Sequence, residues 1–434
     1  MNVSLVIRLI LFLAFFQGVF SYIGIPVIFY RTILEILLII LFAFFIHFLL
    51  SRQDKSFRGP GLIWFGFFSL AVFASAFANS SELYPSFRMF SRMLWPYLFF
   101  LAVLNINLSH DSIRKINRFI VGLIILQIPA IIYKYITYGV REGELIGTFS
   151  TQAGAQSTIF PLFIICYIIA FYYCYKRNPF YLLLIPCFMF FAWGGGKRAF
   201  FVFLPALLLI AYLIYTFRVR HEKIDIIKMV PTLSFFIMII GITLYIGGRY
   251  NPVFNPENER WGSFDLHYMV NQTLETQQTE RQGGSVGRIS TSRAAINHII
   301  YRGDFQRKLL GDGPDRLIQG EDRRLDYGIR YGISGSTFHL ISSGIIGTIS
   351  VILLFAGFGF KALGLINRTR EPFLASLAFG STLAIVVFFF DYFFYSMSFT
   401  AGYTPSLLFF YIMGLLFKMN TEDENLKSEI LNKL

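Results

Sequence analysis

Residues 332–347 read GISGSTFHLISSGIIG, and they mark the point where the only long hydrophilic segment of the chain runs back into apolar sequence. Just upstream lie GRISTSRAAINHII at 287–300 and LLGDGPD at 309–315. The whole segment from Arg288 to Gly347 carries Arg288, Arg293 and Arg330 on the way to His339. Everything on either side is apolar. The pattern is that of a membrane scaffold that holds a polar segment, and with it Arg198, at one face of a bilayer.

The composition supports that scaffold. Of 434 residues, 55% are hydrophobic and only 15% are charged, against about a quarter charged in soluble domains. There are 52 Phe but only 4 Trp. The net charge of +13 does not indicate nucleic acid, because the basic residues sit mainly in short loops between apolar runs, where they set topology. Cys166, Cys174 and Cys187 lie in or beside apolar runs, so the spacing offers neither a disulfide framework nor a CxxC metal pair. The first apolar run leads directly into more membrane sequence, so it is read as a first helix and not a removed signal.

A bilayer core of about 30 Å takes about 20 apolar residues per helix. Twelve segments qualify, near 5–23, 28–50, 61–79, 89–104, 119–138, 156–175, 179–193, 199–216, 230–247, 338–360, 373–391 and 403–418. The alternate loops at 51–60, 105–118, 176–178, 217–229 and 361–372, with the tail, hold about 18 Lys and Arg, against about six in the short loops opposite. Both termini are therefore expected in the cytoplasm. The fold expected is an all-α polytopic membrane protein of about twelve spans. Residues 1–247 hold helices one to nine, 248–337 a large outward loop, 338–418 helices ten to twelve, and 419–434 a cytoplasmic tail.

The outward loop has eleven Arg and one Lys against eleven acids. Guanidinium forks bind phosphate bidentately, whereas Lys acts as a point charge. A solvated, salt-bridged surface is the plainer account of most of these arginines. Residues 292–301 predict a short amphipathic helix, and LLGDGPD predicts a turn. His339 follows a Gly/Ser-rich loop and precedes Gly344 and Gly347, which permit close helix packing in lipid; a neutral imidazole there can act as a base. In GGGKRAF the glycines unwind the segment before helix eight, leaving Lys197 and Arg198 at a helix N-terminus, a natural anion site. Arg88 and Arg92 share a face of helix four by i, i+4 spacing on the same side. No acidic cluster reads as a metal site, no phosphate loop or HExxH is present, and mid-span charges are few.

Four of these pieces, taken in order, resemble the O-antigen polymerase and O-antigen ligase superfamily of bacterial envelope polysaccharide assembly. GTFSTQAGAQ at 147–156 is similar to the family's outward segment before helix six. GGGKRAF resembles its Ser-Arg-Gly-Ala segment, with Arg198 on the family's arginine and Lys197 in place of the serine. TSRAAINHII followed by LLGDGPD resembles its loop segment, which puts Arg293 on the loop arginine. STFHLISSGIIG resembles its histidine segment, with His339 on the histidine and Leu340 where the family has asparagine.

The resemblance implies a C-class glycosyltransferase-like enzyme of the bacterial inner membrane, its active face periplasmic, with no cofactor and no metal. Its implied partners are the lipid bilayer, an undecaprenyl-diphosphate-linked oligosaccharide and a chain-length regulator protein. The implied catalytic residues are His339, Arg198 and Arg293; the substrate-binding candidates, taken from residue type and position on the same side, are Arg288, Lys197, Arg88, Arg92 and Arg330. The expected activity is a metal-independent O-antigen polymerase that joins lipid-linked repeat units. A ligase that moves the glycan to lipid A-core uses the same donor and residues. A transporter of lipid-linked glycan is the third reading, and it calls for repeat symmetry and mid-span charge that the sequence does not show.

Overall fold

The computed structural model describes the chain except residues 1, 52–56, 139–146, 150–154, 176–177, 195–196, 221–233, 235–237, 239–240, 243, 247, 251–253, 260, 272–279, 282–283, 286–287, 315–332, 370 and 434. The first eight helices are α1 (Val3–Tyr22), α2 (Val27–Ser51), α3 (Leu62–Ala78), α4 (Leu83–Asn105), α5 (His110–Tyr138), α6 (Gln156–Cys174), α7 (Pro179–Gly194) and α8 (Arg198–Ile214). The polar segment contributes α9 (Arg288–Ile296) and α10 (Phe305–Leu310). The chain then forms α11 (Gly335–Arg368), α12 (Pro372–Phe390), the short α13 (Ser398–Ala401) and α14 (Tyr403–Lys433). The described strand structure is one two-residue antiparallel rung, Glu280–Arg281 against Gly284–Ser285.

Eight helices among the described residues are long and apolar enough to cross a membrane, and α3 and the Phe180–Ala192 part of α7 are apolar but shorter. The chain is thus an all-α polytopic membrane protein. The expected span at 230–247 lies largely outside the described residues. Several helices outrun their apolar segments: α5 starts at His110 and α11 reaches Arg368, because backbone hydrogen bonding continues past the hydrocarbon boundary. For the same reason α14 runs through 419–433. The amphipathic helix expected at 292–301 begins earlier, at Arg288, and closes as a π-helical turn over Asn297–Tyr301.

Burial sorts the helices into layers. Along α6 every residue from Ser157 to Ala170 is buried, and α12 is buried on all sides from Ser376 to Ile385. These two form the centre of the bundle, joined by a 3.2 Å hydrogen bond between the Tyr167 and Ser381 hydroxyls. Helix α2 stands at the periphery, with Ile28 74% and Leu50 81% exposed, as expected of a lipid-facing surface. Much of the phenylalanine becomes a core ladder: Phe355 of α11 stacks on Phe388 at 3.7 Å between centroids and on Phe409 at 5.4 Å. Between helices in lipid, packing of this kind replaces the hydrophobic effect as the source of association.

Helix α11 is broken. Gly344 has φ 64 and ψ −160, inside a run otherwise helical. A Cβ there would overlap the Leu309 carbonyl oxygen. From the other side, Gly311 has φ 77, and its Cβ would meet the Ile341 carbonyl oxygen and lie 2.8 Å from the Gly344 nitrogen. The turn at 309–313 is therefore seated in the break. It satisfies groups that the break frees: Asp312 N–H donates to Ile341 O at 2.7 Å, and the Ser75 hydroxyl of α3 donates to Ser342 O at 2.9 Å.

Alanine at Gly344 needs a backbone conformation nearly exclusive to glycine as well as the space of Leu309, and should cost about 1–3 kcal/mol from the conformation alone. Thermal unfolding of detergent-purified Gly344→Ala is expected several degrees below wild type. Gly357→Ala, in α11 with nothing within 4 Å of its Cβ, should leave the midpoint unchanged. Equal midpoints for the two variants would contradict the seated turn.

Candidate functional site

The polar elements meet above the start of α11. Ser334 caps that helix by accepting from Thr337 N–H, and Ser292 of α9 shares a 2.8 Å hydrogen bond with the Thr337 hydroxyl. Beside them α12 ends in a π-helical turn, Asp391–Tyr395. Such turns are uncommon and frequent at functional sites. Here the turn presents two tyrosines to two of the expected residues. Arg288 Nε donates to the Tyr395 carbonyl at 2.6 Å, and its guanidinium lies 4.3 Å from the Tyr395 ring centre. His339 Nδ1 lies 3.1 Å from the Tyr392 hydroxyl, with the donor set by the tautomer, and the two rings stack at 5.6 Å.

His339 is only 2% exposed, and Phe68 and Phe338 meet its ring edge-on at 5.5 and 5.4 Å. It stands behind the surface. In front is a groove of 560 Å³ lined by Arg288, Ile289, Ser292, Arg293, Ile296, Asn297, Tyr301, Phe393 and Phe394. Arg293 is exposed on its wall and has no partner among the described residues. Two guanidiniums one turn and a half apart on α9, a hydroxyl, an amide and three aromatic rings suit an anionic group joined to a sugar or chain.

The turn Asp391–Tyr395 is itself anchored from below. Asp391 is 1% exposed and accepts from Ser398 N–H at 2.6 Å and from the Ser398 hydroxyl at 3.2 Å. Arg288 lies close enough to Asp391 for their charges to interact. Gly335 N–H donates to Ser396 O at 2.8 Å, which joins the start of α11 to the same turn.

The turn at 309–313 holds a second anchor. Asp312 Oδ1 lies 2.7 Å from Arg307 Nε, and Oδ2 lies 3.2 Å from His298 Nε2. One carboxylate thus ties α10 and the Asn297–Tyr301 turn to the break in α11. The segment is the turn that its Gly-Pro sequence predicts, but a lone aspartate in that context does not reveal its partners.

Of the remaining expected residues, Lys197 is the N-cap of α8, with its N–H donating to Ala192 O at 2.9 Å, and Arg198 is the first helical residue. The Arg198 side chain and Arg330 lie outside the described residues. Phe203 stacks on Phe390 at 5.0 Å and meets Tyr395 at 5.9 Å. That contact sets the start of α8, about 7–8 Å back along the helix, at the groove end of the bundle. Arg88 and Arg92 do not line the groove; they gather with Arg31 and Tyr403 at the starts of α4, α2 and α14. Tyr392, Tyr395 and Asp391 are absent from the sequence expectation. A signal existed: DYFFYS at 391–396 puts a carboxylate at the end of an apolar run, where an ionisable group is costly and commonly functional.

The fold and site define a polytopic α-helical membrane protein with a basic, aromatic-walled groove at one end. No protein-family model matches the chain, and no curated protein matches it significantly.

Replacing Asp312 removes the acceptor shared by Arg307 and His298. Arg307 is 42% exposed, so solvent screens that half of the interaction, and Asp312→Ala is expected to cost about 1–2 kcal/mol. The expected readout is faster limited proteolysis near 301–310 with the membrane core intact. Cleavage at the wild-type rate would show that the anchor is not needed.

Proposed function

We propose that the protein is a glycosyltransferase of the bacterial inner membrane that polymerises surface polysaccharide from undecaprenyl-diphosphate-linked repeat units. The observation that carries this reading is the groove that Arg288 and Arg293 share above the membrane-embedded helices, walled by Phe393, Phe394 and Tyr301. The order of the motifs around Arg198, Arg293 and His339 supports the same family.

On this reading a hydroxyl of the acceptor sugar attacks the anomeric carbon of the donor. The new C–O bond forms as the bond from that carbon to the diphosphate breaks, and the electron pair leaves with the lipid diphosphate. Negative charge grows on the leaving oxygen, where prepositioned cations are worth most. Arg288 is prepositioned by the Tyr395 carbonyl and ring, while Arg293 on the groove wall is free to close on the phosphate. Arg198, the first residue of α8, is the third cation that this reading assigns to the diphosphate. The sugars lie along the aromatic wall, which limits competing water. His339 is packed behind Tyr392, a geometry that fits positioning of the Asp391–Tyr395 turn better than direct proton transfer. The hydroxyl proton then leaves to solvent or to a group on the acceptor side.

In a host whose own polymerase is deleted and whose repeat units match, wild type should restore a ladder of surface polysaccharide. Arg288→Ala and Arg293→Ala should each lower polymer yield by about 100-fold or more at equal protein level, the usual scale for losing one such donor. His339→Ala should also fail, while Tyr392→Phe, which keeps the ring but not the hydroxyl, should lower yield only several-fold. A full ladder from Arg293→Ala would sink the proposal.

A further inference from the structure

A second group of arginines stands at the same end of the bundle, across α13 from the groove. Ser398, at the start of α13, is bonded to Asp391, and Tyr403 follows five residues later at the start of α14. Arg31 lies one turn into α2, and Arg88 and Arg92 lie in the first half of α4. Arg31 Nε is 3.3 Å from Glu35 Oε1, and its guanidinium lies 5.3 Å from the Tyr403 ring centre. The Tyr403 hydroxyl accepts from Arg31 at 3.4 Å and donates to Glu35 at 2.9 Å. Arg31 and Arg88 both act on Arg92 as neighbouring like charges.

The charges do not balance. Three guanidiniums face one carboxylate, and neither Arg88 nor Arg92 has an acceptor for its guanidinium among the described residues. Both are half-buried, so water screens their mutual repulsion only in part. The topology rule gives no reason for them, because this end is the one the loop charges assign to the non-cytoplasmic side. Trp95, one turn deeper on the same face of α4, has an indole N–H that is buried without a partner. Around the cluster the helices are dressed for lipid: Ile28 and Phe29 on α2, and Leu83 and Phe87 on α4, are exposed. A cationic recess with an apolar rim suits an anion whose remainder lies in the bilayer, and guanidinium forks match the geometry of phosphate.

We infer that Arg31, Arg88 and Arg92 form a second phosphate site, separate from the Arg288–Arg293 groove, that takes the phosphate or diphosphate headgroup of a membrane lipid. Its use for the second of two lipid-linked substrates rests on the polymerase reading; the lipid-phosphate site itself does not. Glu35 holds Arg31 in place and tunes the excess charge, while Arg88 and Arg92 supply the unpaired forks.

The test is native mass spectrometry of the detergent-purified protein with a short-chain polyprenyl diphosphate, the matching uncharged polyprenol and inorganic diphosphate. Wild type should bind two polyprenyl diphosphates. Arg88→Gln/Arg92→Gln and Arg293→Ala should each bind one, and their combination none. Affinity for the remaining lipid in Arg293→Ala should fall at least tenfold when Arg92→Gln is added. Because the substitutions relieve repulsion, the ligand-free Gln variants should unfold at or above the wild-type temperature, which separates a binding role from a structural one. Undiminished lipid binding in the double variant, or equal binding of the polyprenol, would overturn the site. Arg92-dependent binding of inorganic diphosphate with no gain from the lipid chain would overturn its membrane origin. A wild type that binds a single polyprenyl diphosphate, dependent on Arg88 and Arg92 and unaffected by Arg293→Ala, would count against the polymerase reading and leave this one standing.

Discussion

The arrangement depends on two glycines that meet backbone to backbone. Gly344 breaks α11, and Gly311 lets the 309–313 turn enter the break closely enough for Asp312 N–H to reach the Ile341 carbonyl at 2.7 Å. Within a membrane an opened helix leaves polar groups that no water can satisfy, so the break persists only because protein fills it. Filling it fixes the polar segment to the bundle. The same turn carries Asp312, which holds Arg307 and His298, so the position of α9 follows from a contact made at the break. His339 lies one turn before the break, on the half-helix that the turn clamps.

From that contact the site is built in two directions. Outward, α9 places Arg288 and Arg293 on an open groove. Inward, the Asp391–Tyr395 turn links the groove to the core, since Tyr395 receives Arg288 and Tyr392 receives His339. A charged fork held by a carbonyl and a ring loses little freedom when an anion arrives. Arg293, exposed and unpaired among the described residues, is suited instead to follow the ligand. The second arginine cluster, beyond α13, sits at the same level with an excess of positive charge. On the proposed reading, the two clusters would seat the two lipid-linked anions of the reaction.

The membrane class was legible because hydrophobic length is a direct physical demand of the bilayer. Helix ends were less so: α5, α11 and α14 run past their apolar segments, since nothing in hydropathy stops a helix in water or headgroups. Arg288 and Arg293 could be singled out from residue type and side, and both line one groove. The histidine was visible, but its burial was not, because Phe68 and Tyr392 come to it from α3 and from the end of α12, 271 residues before and 53 after. Tyr392 and Tyr395 are not distinguished in the sequence from the chain's 24 Tyr and 52 Phe. Arg31 was hidden for a different reason: beside Glu35 it looks like an ordinary i, i+4 helix pair, and only the packing of α4 and α14 exposes the surplus charge.

The most direct test is reconstitution of the purified protein in proteoliposomes with a fluorescent undecaprenyl-diphosphate-linked repeat unit, following chain length and released lipid diphosphate together. The account predicts longer lipid-linked chains with one lipid diphosphate released per linkage, and loss of both products in Arg293→Ala. Release of lipid diphosphate without chain growth, or chain growth unaffected in Arg293→Ala, would contradict it.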